Sequence, residues 1–150
     1  MTIADLKQAY YSRLLPSLVA IGVAAAFRSV GMAIVISQPA TAKIVGAGLF
    51  VASITAAVGL PIWIRTAFAH RVHQARGIGE QEFARFQRCL ITTALVTPYL
   101  AAIALALSLP SFYQTGSFLA ALYAMYYHYP SERRVGFDRR LFRVGQSGPC

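Results

Sequence analysis

Arg28 is the side chain that asks most of its surroundings. It stands in an otherwise apolar run, Leu14–Ile36, between Arg13 and Gln38. A guanidinium at membrane depth costs about 2.5–3.5 kcal/mol on insertion scales, so it needs a partner or a route to water. The five acids, Asp5, Glu80, Glu82, Glu132 and Asp138, all fall outside the long apolar runs. An ion pair within the chain at that depth is therefore not expected. Three partners remain. Arg28 can snorkel to a lipid phosphate past Gly31 and Ala33. It can donate to backbone carbonyls, Thr97, Tyr99 or Gln114 inside a bundle. It can meet an acid, haem propionate or other anionic group of a partner, as a functional role for an intramembrane charge implies; snorkelling is the plainer reading.

The histidines are weaker candidates. His70 and His73 share a helical face, and His128 lies at the same end of an apolar run, with Glu82 or Glu132 within reach of that level. Three imidazoles could bind a metal. The plainer reading gives His70 and His73 to a solvated basic face and His128 to an aromatic belt, and no metal or other cofactor is expected. Tyr123, Tyr126 and Tyr127 crowd the end of an apolar run. Tyr126 and Trp63 suit interfacial anchors, while the tyrosine group could instead line a quinone or lipid-headgroup pocket.

The tail from Ser131 to Val144 interleaves Arg133, Arg134, Arg139 and Arg140 with Val135, Phe137, Leu141 and Phe142. Such a segment suits a strand or helix on an anionic leaflet, each basic residue adding about 1 kcal/mol. It equally suits docking on an acidic patch of another subunit. Together with Arg71 and Arg76 of the central loop, these arginines and Arg28 are the expected contacts for a partner or an anion.

Several reaction classes find no support. Gly77-Ile-Gly79 is a GxG that follows no strand, so it is no nucleotide-binding fingerprint. Proton- or cation-coupled transport usually needs a carboxylate or a histidine relay within the membrane, and a small drug exporter would carry a membrane-embedded Glu. Neither cysteine, Cys89 or Cys150, stands in a CxxC or metal-ligand spacing.

What must position these groups is set by composition. The 150 residues are 57% hydrophobic and 13% charged, where a soluble domain is about 45–50% apolar and about 25% charged. Apolar runs cover residues 14–36, 44–64, 89–109 and 112–129, and a crossing helix needs roughly 20 residues. The expected fold is all-α: four transmembrane helices in an antiparallel bundle, forming a single domain with a basic tail over 130–150. Ile3, Leu6 and Tyr10 on one face suggest a short interfacial helix before the first span. Gly59 and Pro61 should bend the second span, and Thr97-Pro98 should kink the third. Gly77–Gly79 should turn a helical hairpin whose second helix opens on Glu80 and Glu82. Small-residue stripes Gly48/Ala52/Ala56, Gly116/Ala120/Ala124 and Gly22/Ala26 are expected to face other helices.

The net charge of +9 flanks apolar runs, which fits membrane topology rather than nucleic acid. The N-terminus, central loop and tail carry two, five and five basic residues, and the two opposite turns only Lys43. Both termini and the loop are therefore expected in the cytoplasm, with a bacterial inner membrane as the location. The expected function is a non-catalytic accessory or assembly subunit of a larger membrane complex, with other membrane subunits and anionic lipid as partners. The alternative is a small membrane enzyme or carrier for an anionic lipid or quinone.

Overall fold

The computed structural model describes residues 3–32, 34, 36–75, 78–142 and 144. Their regular structure is helical: α1 (Ile3–Ser29), α2 (Pro39–Ile54), a π-helical turn (Thr55–Gly59), α3 (Leu60–Ala75), α4 (Glu80–Ala94), α5 (Thr97–Ala106), α6 (Ser111–Tyr127) and α7 (Glu132–Leu141). An isolated parallel bridge joins Ile78 to Val144. Three helical stretches are long and apolar enough to cross a membrane: Ile3–Ser29, Pro39–His73 and Glu80–Ala106. The further apolar helix, α6, has 17 residues.

The helix ends follow from local chemistry. The interfacial helix and first span expected separately are one helix, which continues through Pro16. It stops at Ser29, short of the expected Ile36, because Gly31 adopts φ +77°. There Gly31 N–H donates to the Arg28 carbonyl (3.1 Å) and Met32 N–H to the Phe27 carbonyl (3.0 Å). These two bonds form the Schellman motif that closes a helix on a left-handed glycine.

Pro61 lacks an N–H and cannot bond the carbonyl four residues back. The chain accommodates it with the preceding π turn, in which Leu60 N–H reaches the Thr55 carbonyl. The expected bend near Gly59 and Pro61 therefore takes the form of a widened turn. Pro98 acts similarly: α4 ends at Ala94, and α5 begins at Thr97 with the proline in its first turn. Glu80 and Glu82 lie in the first turn of α4, where the positive end of the helix dipole favours them.

The α4–α5 unit is the central element. Half of its most apolar stretch is buried (50%), against 17% for α1. It packs against α1, α2 and α6, while α3 pairs with α4. Two kinds of core result. Toward one end, Leu6, Tyr10, Phe68, Phe83, Phe86, Leu90, Val135 and Phe142 form a core of large side chains. Phe68 stacks on Phe86 at 3.9 Å, and Phe142 meets both rings edge-on.

Elsewhere the buried positions are small, with Ala57, Ala94 and Ala124 in one cluster and Ser17, Ser53 and Ser117 fully enclosed. Small side chains allow the close backbone approach on which helix association in lipid depends. The expected stripes are only partly the packing faces. Ala56 and Ala124 are buried, but Gly22, Ala26, Gly48 and Ala52 are exposed. The α2–α6 contact uses Gly46, which the Tyr113 ring covers, and Gly116, which the Phe50 ring covers. Each helix thus lends the other one glycine and one aromatic ring.

Candidate functional site

The tail folds back as a helix because its ends are chemically defined. Ser131 caps α7 by accepting from Arg134 N–H, Glu132 occupies the first turn, and Arg139 and Arg140 occupy the last. Val135, Asp138 and Phe142 fall on one face of it, and all three are buried. Val135 and Phe142 join the large-side-chain core. Asp138 accepts from Arg65 of α3 in a short contact and from Gln87 Nε2 of α4 at 3.0 Å. The carboxylate side chain is only 13% exposed, whereas Arg65 is 40% exposed. Desolvation raises the cost of a lone charge, which the two donors, one from each of the paired helices α3 and α4, offset.

Above this network lies a cavity of about 580 Å³, within the range of roughly 300–1,000 Å³ found for small-molecule sites. Pro61, Ile62 and Arg65 of α3 line one wall, with Leu90 and Ile91 of α4. Tyr127, His128, Tyr129 and Pro130 form the opposite wall, and α7 adds Arg133, Arg134 and Phe137. Three guanidinium groups therefore face one carboxylate, which Arg65 and Gln87 already engage. The remaining positive charge suits an anion, and guanidinium is the side chain best shaped for phosphate or carboxylate oxygens.

Arg134 is oriented in two ways. Its Nη1 donates to the Tyr127 carbonyl at the end of α6 in a short contact. Its guanidinium also lies 5.1 Å from the centre of the Tyr127 ring and 5.8 Å from that of Tyr126, within cation–π range. Arg133 is exposed at the cavity rim.

The expected contact residues therefore divide. Arg133, Arg134 and Tyr127 come together at the cavity. Tyr123 stacks on Tyr127 at 5.2 Å but lines a separate apolar groove of about 610 Å³ between α2 and α6. Tyr126 faces outward, 78% exposed. Arg139 pairs with Glu80 of α4 at 3.2 Å, tying α7 to the hairpin. Arg71 and Arg140 are exposed away from it, and Arg76 lies outside the described residues.

Of the histidines, His128 is half-buried at the cavity, with Nδ1 3.2 Å from the Ala124 carbonyl, while His70 and His73 are exposed on α3. Among the described residues, no three His, Cys, Asp or Glu side chains gather as a metal site would require.

Arg28 is not at mid-helix. It stands in the last turn of α1, where the helix dipole favours a cation. Nη1 donates to Gln114 Oε1 of α6 at 3.0 Å, and Gln114 Nε2 donates onward to the Ala104 carbonyl of α5 at 3.3 Å. Of its expected intrachain partners, Tyr99 instead donates to the Arg13 carbonyl at 3.2 Å.

Sequence reasoning missed Asp138, Arg65 and Gln87 as a unit. The signal was present in the tail, where the lone acid shares helical spacing with Val135 and Phe142. Compared with known protein families, curated proteins and solved structures, the chain has no match.

Proposed function

We propose that the chain is an inner-membrane protein that works by binding rather than by catalysis, as an accessory or assembly subunit of a larger complex. In this reading α1, α2–α3, α4–α5 and α6 all cross the bilayer. With its 17 residues, α6 is roughly 26 Å long at about 1.5 Å per residue. A modest local thinning of the membrane accommodates such a helix. The basic N-terminus, α3–α4 hairpin and α7 lie together on the cytoplasmic side, as the distribution of Lys and Arg favours.

The observation that carries the docking role is the outer face of α7. Its inner face is held by Val135, Asp138 and Phe142, yet Phe137 is 63% exposed and Leu141 is 56% exposed. The cation Arg140 is exposed beside Leu141. Exposed apolar groups rimmed by cations suit a partner with an acidic rim around an apolar centre. Because α7 is bonded to α3 and α4, it is presented as a rigid element and loses little entropy on docking.

The test is the native mass of the complex after mild detergent extraction from the cells that make the protein. The wild-type chain should run in an assembly much larger than itself. Arg140→Glu combined with Leu141→Ser should release it as a folded single chain. A wild-type protein that runs alone or as a homo-oligomer would remove the reading.

A further inference from the structure

The arginine-lined cavity and the apolar groove each take part of their lining from the α2–α3 helix and from α6. Along the α2–α3 helix, Ile62 lines the cavity, while Val58, Ile54 and Phe50 line the groove at successive four-residue steps. Along α6, Tyr127 lines the cavity, while Tyr123, Leu119 and Phe112 follow on the same face along the groove. The stacked rings of Tyr123 and Tyr127 join the two. Cavity and groove are thus neighbours along one furrowed face, cationic at its α7 end and apolar along the rest.

We infer that this furrow seats one anionic phospholipid, with its phosphate in the cavity at Arg133 and Arg134 and one acyl chain along the α2–α6 groove. Charge supports the assignment, because Asp138 is occupied by Arg65 and Gln87, leaving the α7 arginines for an added phosphate. Arg134 is preset by Tyr127, so little ordering remains to oppose binding. The cytoplasmic leaflet is the anionic one, and in the topology proposed above, on which this step rests, it is the leaflet that the basic end of the bundle faces. A free phosphate would use the cavity and ignore the groove. The alignment of the two along the same pair of helices, one turn apart, is what selects a lipid.

The experiment uses the full-length chain in mild detergent, stripped of bound lipid by exchange. It is titrated with phosphatidylglycerol, phosphatidylcholine or glycerol 3-phosphate, and occupancy is read by native mass spectrometry alongside thermal unfolding. Wild type should take up one phosphatidylglycerol and bind phosphatidylcholine less tightly. Loss of one charge-assisted bond corresponds to roughly tenfold in affinity, so Arg133→Gln should lose about that much of the preference. Arg133→Lys should keep part of it, since the charge stays and the planar fork goes.

Leu119 is exposed, so Leu119→Trp should leave the unloaded protein as stable as wild type while weakening both lipids. Because the preference is a ratio read on one protein, a general loss of stability does not mimic its loss. An unchanged preference in Arg133→Gln would overturn the headgroup assignment. Glycerol 3-phosphate binding as tightly as the lipid, or an unaltered Leu119→Trp, would overturn the acyl seat. All of these readouts come from the isolated chain and stand apart from the partner complex.

Discussion

Asp138 on α7 accepts from Arg65 on α3, 73 residues away in sequence, and this pair fixes where the basic tail sits. Without it, α7 would be joined to the body chiefly by Val135 and Phe142 in the aromatic core and by the exposed Arg139–Glu80 pair. Exposed pairs contribute about 0–1 kcal/mol, so the partly buried network carries the polar specificity of docking.

Asp138→Ala should therefore loosen α7. The variant leaves Gln87 without an acceptor and Arg65 without its counter-charge. An unsatisfied buried group costs about 1–3 kcal/mol, and partial exposure of Arg65 places the effect toward the lower end. Limited trypsin digestion reads it directly, with faster cleavage after Arg139 and Arg140 and an intact membrane core. Asp138→Asn keeps one acceptor oxygen and should fall between. Equal protection of all three proteins would mean that α7 is held by its apolar face alone.

The helical organisation was legible because apolar runs and prolines act locally. The runs around 44–64 and 89–109 became α2–α3 and α4–α5, Pro61 and Pro98 marked their irregular turns, and Glu80 opened α4. For Arg28 the apolar run predicts a mid-helix position, since a glycine within it reads as merely small; Gly31 at positive φ instead ends α1 at Ser29, one residue after Arg28. The tail was harder still. Its composition fits strand, helix or surface segment equally, and only tertiary contacts show that Val135, Asp138 and Phe142 turn inward. The glycine–aromatic contacts of α2 and α6 were illegible for a related reason. Small residues are frequent on every apolar helix, and a stripe alone does not say which of them meets a ring.

The proposed topology makes a distribution of accessible thiols. With Cys89 and Cys150 replaced by Ser, single cysteines at Thr41 and Ser111 should react with an impermeant reagent applied to intact cells. Cysteines at Gln74 and Gln146 should react only after the membrane is opened. The inverted pattern would place the basic end outside and remove the anionic-leaflet argument for the furrow. Labelling of Gln146 and Ser111 from the same side would mean that α6 does not cross.

Gly116 has room for hydrogen alone. A Cβ there would run into the Phe50 ring, and overpacking of this kind costs about 1–3 kcal/mol. Gly116→Ala should lower the unfolding temperature in detergent, while Phe50→Leu, which withdraws the ring, should make the same substitution far less harmful. Contacting residues give coupling of about 0.5–3 kcal/mol in such cycles. Strict additivity would show that α2 and α6 separate at this point in the detergent-solubilised protein. By contrast Gly48 has open space around it, so Gly48→Ala should be harmless.

Arg28 and Gln114 offer the last test, and it separates a bond within the bundle from a charge that reaches lipid. The guanidinium donates to Gln114, which passes a second bond to the Ala104 carbonyl, linking α1, α6 and α5 at the end opposite the arginine-lined cavity. Polar contacts between membrane helices average about 0.6 kcal/mol in double-mutant cycles, so each single loss should be small. Arg28→Leu and Gln114→Leu should each lower thermal stability slightly, and the double variant should be no worse than the more damaging single. Arg28→Lys keeps the charge at the end of α1, where the helix dipole favours it, and should retain part of the bond. A charge that only snorkels predicts otherwise: Arg28→Leu would be neutral or stabilising, and its effect would add to that of Gln114→Leu. Additive single effects would therefore overturn the assignment of Arg28 to the bundle.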